Sequence, residues 1–464
     1  MPTIFAPITS SIRAGISVIR VSGSQTIECL KILGFRGEPT HQKISFQKIR
    51  DPKTSEIIDE VLVSFFKSPQ SFTGEDVAEI SIHASPFVAR KVFEILSSIE
   101  NVRAAEAGEF SKRAFLNGKL DLVQAEAIPD LIAAETAAQH KQALRQLEGK
   151  LGEIYEDWRF RLIENSAMLE AAIDFPDEDL PKNITDRVEA EVAKLAAEIA
   201  SHLNDNKIGQ KIKDGLSLAI IGAPNVGKSS LINFLAQSEV AIVSEIAGTT
   251  RDVVETHLAI AGVAVKISDT AGLRETEDKI EAEGIRRALK KASEADIKIF
   301  LVDAANPILR SDLIDENTIV VVNKIDLNPN RRLSGVETNG RFLLQIARQE
   351  PSVGFDSAQP TVTGVTVVEI SLANNANTSE LLKKLEEKIL ELIPTQNSPL
   401  ITQERYRASL QGAVSNLENF NLQKNIELAA EDLRMTAREI GKITGKVDIE
   451  NILDVIFSRF CIGK

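Results

Sequence analysis

The segment Gly222, Ala223, Pro224, Asn225, Val226, Gly227, Lys228, Ser229 sets two glycines five positions apart and follows them with a lysine and a hydroxyl. That spacing lets backbone N–H groups wrap a polyphosphate while the next helix adds its positive end. Lys228 then neutralises the outer phosphates, Ser229 ligates Mg²⁺, and Ser230 continues into the helix. Asp269, Thr270, Ala271, Gly272 follow the apolar run from Val263 to Ser268, and an acidic residue at such a strand end holds the metal through water. Between these motifs lie Ile246, Ala247, Gly248, Thr249, Thr250, Arg251, Asp252, with Thr250 placed to complete Mg²⁺ coordination and to sense the γ-phosphate. Asn323, Lys324, Ile325, Asp326 follow the strand-like run from Thr318 to Val322. A carboxylate at Asp326 accepts two hydrogen bonds from the guanine ring N–H and exocyclic amine, which adenine cannot supply. The combined reading is a GTP hydrolase.

Water activation is less direct. Many enzymes of this class carry a glutamine after Asp-x-x-Gly, but here that position is Leu273, which cannot orient water. Glu275, Glu277, Glu281 and Glu283 are the nearby carboxylates, and Arg251 and Arg274 the nearby cations. The amide of Asn225 offers an oxygen to a monovalent cation standing where an arginine finger would otherwise lie.

These motifs need rigid elements beneath them. Leu216 to Ile221 reads as the strand before the phosphate loop and Ser230 to Leu235 as the helix after it. From Asp214 to about Glu380 apolar strands alternate with helices, the texture of a parallel sheet covered on both faces. The first hundred residues mix strand-like runs, Gly15 to Val21 and Glu60 to Phe66, with a helical stretch at Val88 to Ser97. From Leu120 to about Asn204 apolar residues recur at helical spacing, with Pro129 expected to end or kink the first helix and Pro176 to Pro181 marking a turn. The spacing returns in Ser379 to Leu392, Gln403 to Leu417, Ile426 to Ile443 and Ile449 to Phe460. Neither helical half buries its stripe alone, so the two are expected to pack as one bundle. The fold class is therefore multidomain: an α+β N-terminal domain, a discontinuous α-helical bundle and an inserted α/β P-loop GTPase (Ras-like) domain. Expected boundaries are 1–118, 119–213, 214–380 and 381–464. Residues Arg331 to Thr366 read as a long insertion.

Bulk properties narrow the classes further. A net charge of -13 argues against holding nucleic acid by bulk electrostatics. Two local clusters, Lys207, Lys211, Lys213 and Arg286, Arg287, Lys290, Lys291, read as a solvated linker and helix face. The two cysteines, Cys29 and Cys461, lie far apart without metal-ligand spacing. No membrane-spanning run or signal peptide is evident, and the expected location is cytoplasmic.

Four stretches outside these motifs carry a resemblance to a known family. They are Val18, Ile19, Arg20, Val21, Ser22, Gly23; Phe72, Thr73, Gly74, Glu75, Asp76 leading to Glu79 and His83; Gly108 to Phe110 with Arg113 to Leu122 and Gln124 to Ala127; and Phe457 to Lys464. Together with the GTPase motifs, from near Arg13 to Lys464, the chain resembles the tRNA modification GTPase family MnmE (TrmE). The resemblance implies an N-terminal domain that binds 5-formyl-tetrahydrofolate or a related one-carbon folate through Arg20, Glu79, Lys119 and Lys464, and homodimerisation through that domain. It implies K⁺ held by Asn225, Ser244, Ile246 and Thr249, with Glu245, Ala247 and Gly248 in the same nucleotide-binding loop. Glu281 takes the water-orienting role. It implies an FAD-dependent partner, MnmG (GidA), and addition of an aminomethyl-type group, such as carboxymethylaminomethyl, to carbon 5 of the wobble uridine of certain tRNAs.

The chain departs from the family in places. His83, Ala84, Ser85 replace His-Gly-Gly, and Ala107 stands where a proline precedes Gly108. Ser371, Leu372, Ala373 replace the usual Ser-Ala of the loop contacting guanine. Cys461 is expected to pack in the interior. Two other readings are a regulatory GTPase resembling Era or Der that assists ribosome assembly, although no Gly-x-x-Gly loop with basic flanks is evident, and a folate-dependent one-carbon transferase regulated by GTP.

Overall fold

The computed structural model describes residues 1–9, 14–175, 184–238, 256–269, 290, 292–305, 313–327, 365–394, 399–447, 450–458 and 460–463, apart from the side chains of 256, 268, 269, 450–452 and 455. Two units emerge: 1–132 with 144–203 and 405–464, and 133–143 with 204–404.

In the first unit, strands β1 (Thr3–Pro7), β2 (Ile16–Ser22), β3 (Ile44–Arg50), β4 (Ile57–Phe66), β5 (Val77–His83) and β6 (Val102–Ala104) form a sheet in the order β3-β4-β5-β2-β1-β6. Alternation decides which face is covered: Val61, Val63 and Phe65 of β4 are buried, while Leu62 points the other way and is exposed. The buried face packs on helices Thr26–Ile32 and Pro86–Ser97 through Leu30, Val92 and Leu96. Burial pushes the Cys29 thiol in this core up to about 12, with Glu28 adding to the effect, so it is an inert packing group.

The expected bundle is present. Helix Lys150–Asp174 runs antiparallel to Ile426–Thr444, with Thr444 Oγ1 donating to Glu156 near one end and Arg434 3.3 Å from Glu170 toward the other. Helix Ile184–Leu203 is fastened to Lys150–Asp174 by Arg161, 2.6 Å from Glu191 and 2.8 Å from Glu198. Pro129 lies inside helix Leu122–Ile132, which ends three residues later. Pro176 to Pro181 lies outside the described residues.

A buried polar knot ties the halves of this unit. Glu126 accepts from Arg405 Nε at 2.9 Å and from the Tyr406 hydroxyl, and Arg405 also donates to the carbonyls of Lys442 and Ile443. Burial, and then the Glu126 charge, push the Tyr406 phenol well above its ordinary value, so it serves as a neutral donor. Arg405→Ala would strand the Glu126 carboxylate; with Arg405 itself part-exposed, the expected cost is about 3 kcal/mol. Thermal denaturation should show a drop of roughly 6–10 °C in this unit's transition, and an unchanged transition would mean the knot is not a structural requirement.

In the second unit, β7 (Leu216–Gly222), β8 (Thr256–Ile260), β9 (Val263–Asp269), β10 (Ile297–Asp303), β11 (Thr318–Asn323) and β12 (Thr366–Glu369) form a sheet in the order β12-β11-β10-β7-β9-β8, parallel except for β8. Strands β10 and β11 are apolar almost throughout because both faces are covered: Ile299, Leu301, Ile319 and Val321 enter one core, and Phe300, Val302, Val320 and Val322 the other. Helix Thr378–Leu392 drives Leu381, Leu385 and Ile389 into the first of these cores, and Ile208 and Ile212 of helix Ile208–Asp214 do the same. Both ends of the inserted domain therefore reach beyond the expected 214 and 380. Apart from Val365 and Thr366, the stretch from Arg331 to Thr366 lies outside the described residues.

Candidate nucleotide site

The phosphate loop leaves β7 where the chain's path reverses, with β9 on one side of β7 and β10 on the other, the point at which parallel sheets open a crevice at their carboxyl ends. Two glycines are required by close approach. A Cβ on Gly222 would lie 2.3 Å from the Leu301 carbonyl oxygen, and one on Gly227 2.5 Å from Asn323 Nδ2. Gly227 caps helix Lys228–Gln237, so the loop ends on a helix N-terminus. Lys228 Nζ donates to the carbonyls of Gly222 and Ala223, both at 3.0 Å. Asn225 has a left-handed backbone (φ 63°) and is exposed, as are Ser229 and Ser230, whereas Val226 is buried.

The residues expected to read guanine lie near this loop, Asn323 bonding it directly. Asn323 Nδ2 donates to the Val226 carbonyl at 2.9 Å, and Asn323 Oδ1 accepts from the Leu372 N–H at 3.2 Å. The Ser371 hydroxyl donates to Asp326 Oδ1, and Ser371 pairs with Ala376 across the turn that contains Ala373. Leu372 packs against the apolar core beneath. Ser371 thus braces the Asp326 carboxylate, and the Leu372 N–H is taken by Asn323. Burial, and then the Glu380 charge, raise the Glu369 carboxyl at the end of β12 above the ordinary range.

Asp303 is a residue the sequence reading did not single out. Lys324 Nζ lies 2.8 Å from Asp303 Oδ2 and 2.8 Å from the Asn225 carbonyl, which joins the base-reading motif to the phosphate loop. Its one sequence signal is an acid closing the apolar strand β10, at the end of the sheet where ligands bind.

Ser244, Glu245, Ile246, Ala247, Gly248, Thr249, Thr250, Thr270, Ala271, Gly272 and Glu281 lie outside the described residues, as do Arg251, Arg274, Glu275, Glu277 and Glu283; for Asp269 only the backbone, ending β9, is described. Among the described residues no cluster of three or more His, Cys, Asp or Glu is arranged to hold a metal, and no helix is long and apolar enough to cross a membrane. Of the basic clusters, Lys211 is 3.2 Å from Asp296.

In the first unit, Arg20 and Glu79 face each other across β2 and β5, with Arg20 Nη2 2.8 Å from Glu79 Oε1. The Arg20 guanidinium lies over the rings of Phe72 at 5.1 Å and Phe110 at 5.4 Å. Lys119 Nζ donates to the Pro69 carbonyl at 3.1 Å. Nearby, Glu109 would be raised by burial, but hydrogen bonds from Arg103, the Glu106 N–H and Arg113 outweigh that and hold it below the usual carboxylate range. The C-terminal tail pairs with this unit through Ile462 and Ala107, while Lys464 lies outside the described residues. Cys461, expected in the interior, is exposed: the tail pairs by its backbone and leaves the thiol outside.

Comparison with known proteins is consistent along the whole chain. A family model described as "GTP-binding protein TrmE N-terminus" matches residues 3–119, and one described as "MnmE helical domain" matches residues 122–461. The "tRNA modification GTPase MnmE" of Rickettsia bellii (strain RML369-C) is 46% identical over 470 residues, covering 100% of both chains. That of Rickettsia rickettsii (strain Sheila Smith) is 46% identical with the same coverage. Among solved structures, Aquifex aeolicus Era bound to GDP.AlF4- is 28% identical, covering 43% of this chain and 66% of its own, at a TM-score of 0.27.

Proposed function

Because the chain belongs to the MnmE family of tRNA modification GTPases, we propose that its GTP hydrolysis serves the addition of an aminomethyl-type group to carbon 5 of the wobble uridine, carried out with an FAD-dependent MnmG (GidA)-like partner. The observation that carries this reading is full-length similarity to tRNA modification GTPases, joined to an arrangement in which Asn323 bonds the phosphate loop and Ser371 braces Asp326.

Within that reading Lys228 and the loop amides would bind the β- and γ-phosphates, and the Asp326 carboxylate, braced by Ser371, would select guanine. Ser229, Thr250 and, through water, Asp269 would hold Mg²⁺; a hydroxyl and a carboxylate suit this hard cation, and the exposed Ser229 at the first turn of its helix fits the role. Bound there, Mg²⁺ would offset charge on the phosphate oxygens. Asn225, exposed at the loop with its left-handed backbone, fits a K⁺ ligand, to be completed by Ser244, Ile246 and Thr249, and Glu281 would orient the attacking water.

For the folate, Arg20 and Glu79 supply a guanidinium for carboxylates and an acceptor for pterin donors, with the rings of Phe72 and Phe110 beside them; Lys119 and Lys464 would complete the set. Homodimerisation through residues 1–118 is supported by a row of exposed apolar side chains on one sheet face, where Phe46 of edge strand β3 stands opposite Leu62 of β4, with Ile44 beside them. The helices of 144–203 and 405–464 would act as the helical domain and 204–404 as the GTPase domain.

Nucleoside analysis of tRNA from cells lacking this chain tests the proposal. The expected result is loss of the 5-substituted wobble uridine, restored by the chain together with the flavoprotein. Unaltered wobble uridine in such cells would overturn it.

A further inference from the structure

Strand β10 lies between β7, which ends in the phosphate loop, and β11, which ends in the Asn323 to Asp326 motif. The parallel register sets Leu301 beside Gly222 and Asp303 beside Asn323, and the Ala304 N–H donates to the Asn323 carbonyl at 2.9 Å. Sheet hydrogen bonds therefore fix where the Asp303 side chain starts, next to the turn that carries Lys324. Its two oxygens have separate partners. Oδ1 accepts from the Ala305 N–H at 2.8 Å, which orients the carboxylate, and Oδ2 accepts from Lys324 Nζ at 2.8 Å.

Adjacent residues of the motif grip adjacent carbonyls of the phosphate loop: Asn323 Nδ2 donates to Val226 at 2.9 Å and Lys324 Nζ to Asn225 at 2.8 Å. The two links differ in stiffness. Asn323 is a short, buried amide, whereas the Lys324 ammonium rides on a flexible four-carbon stem with three rotatable donors and stays on one carbonyl only if something holds it there. Lys324 (φ 66°) and Asn225 (φ 63°) both have left-handed backbones, which residues with side chains rarely adopt. The second link thus joins two turns whose shape depends on tertiary contacts. A solvated surface pair would add little, but the Asp303 side chain is only 21% exposed and that of Lys324 31%, so the charge-assisted bond between them forms where water competes less.

We propose that Asp303 is a positioning residue of the guanine-nucleotide site: it holds the Lys324 ammonium on the Asn225 carbonyl and so keeps the base-reading motif and the phosphate loop in the spacing that one nucleotide must span. The role rests on the nucleotide reading above and deepens it. A site preorganised in this way loses less conformational freedom when the nucleotide binds, and the difference is expected mainly in how slowly the nucleotide leaves.

The test is a double-mutant cycle on the full-length chain, read as the rate at which a fluorescent GDP analogue is released into excess GDP. Asp303→Asn keeps the shape of the side chain and an acceptor for the Ala305 N–H, but turns an amide N–H toward the ammonium. It is expected to speed release about tenfold, the weight of one charge-assisted hydrogen bond. Lys324→Met, which removes the ammonium, is expected to speed release at least as much, and adding Asp303→Asn to it should change the rate by less than about twofold, because the two residues act as one unit. An equal effect of Asp303→Asn in both backgrounds would make Asp303 a residue of the fold at large and overturn the proposal. Release at the wild-type rate in Asp303→Asn, or loss of its folded melting transition, would overturn it too. In each of those cases the wild-type chain still binds the analogue and the nucleotide reading stands; a wild-type chain that binds no guanine nucleotide would remove that reading and this role with it.

Discussion

Asp326→Asn should exchange the preferred base, so that xanthosine triphosphate displaces GTP from the site. The wild-type carboxylate can accept from both the ring N–H and the exocyclic amine of guanine; an asparagine turns one acceptor into a donor, which then faces the guanine amine with no partner. A site built around hydrogen bonds loses selectivity steeply when one becomes unpaired, and the expected change in the ratio of GTP to xanthosine triphosphate affinity is on the order of 10⁴. The surroundings favour a clean exchange. Ser371 donates a hydroxyl hydrogen to Asp326 Oδ1, and the amide oxygen of asparagine accepts that same bond, so the loop keeps its brace. Asn323, which holds the loop to the Val226 carbonyl, is untouched. Competition of the two nucleotides against a fluorescent guanosine diphosphate measures the ratio directly. An unaltered ratio would show that a different group reads the base.

What could be read from the chain beforehand follows from how local each feature is. The phosphate loop and the Asn323 to Asp326 motif are contiguous, and the turn geometry they need is written in glycines whose missing Cβ atoms leave room for Leu301 and Asn323. The split bundle was legible because an apolar stripe every three to four residues requires a covering partner. That stripe does not say which partner: Thr378–Leu392 has the same texture as the bundle helices, yet its Leu381, Leu385 and Ile389 lie in the GTPase core, which is why the domain ends further along than the texture indicated. Asp303 was passed over because its partner Lys324 lies 21 residues away, and the Asn225 carbonyl held by the same ammonium lies 99 residues from Lys324. Glu126 and Arg405 are 279 residues apart, and no periodicity joins them. Exposure of Cys461 depends on how the tail pairs with Ala107, which the order of residues does not encode.

Lys228→Ala should lower turnover at saturating GTP by roughly 10²–10³-fold, the loss expected when a preorganised group that stabilises developing charge is removed. The ammonium is held by two carbonyls of its own loop, Gly222 and Ala223, at the start of helix Lys228–Gln237. Little rearrangement is therefore needed for it to meet the outer phosphates. Phosphoryl transfer asks the protein mainly for position and charge, and the loop amides that remain in the variant are dipoles, with no full positive charge among them. GTP affinity should fall as well, because the same ammonium faces the triphosphate before reaction. Any effect on the fold should stay within the loop, where Gly222 is buried and Ala223 half-buried. Single-turnover hydrolysis at saturating nucleotide separates the two effects, and a rate within threefold of wild type would remove Lys228 from the catalytic machinery and leave it as a binding residue.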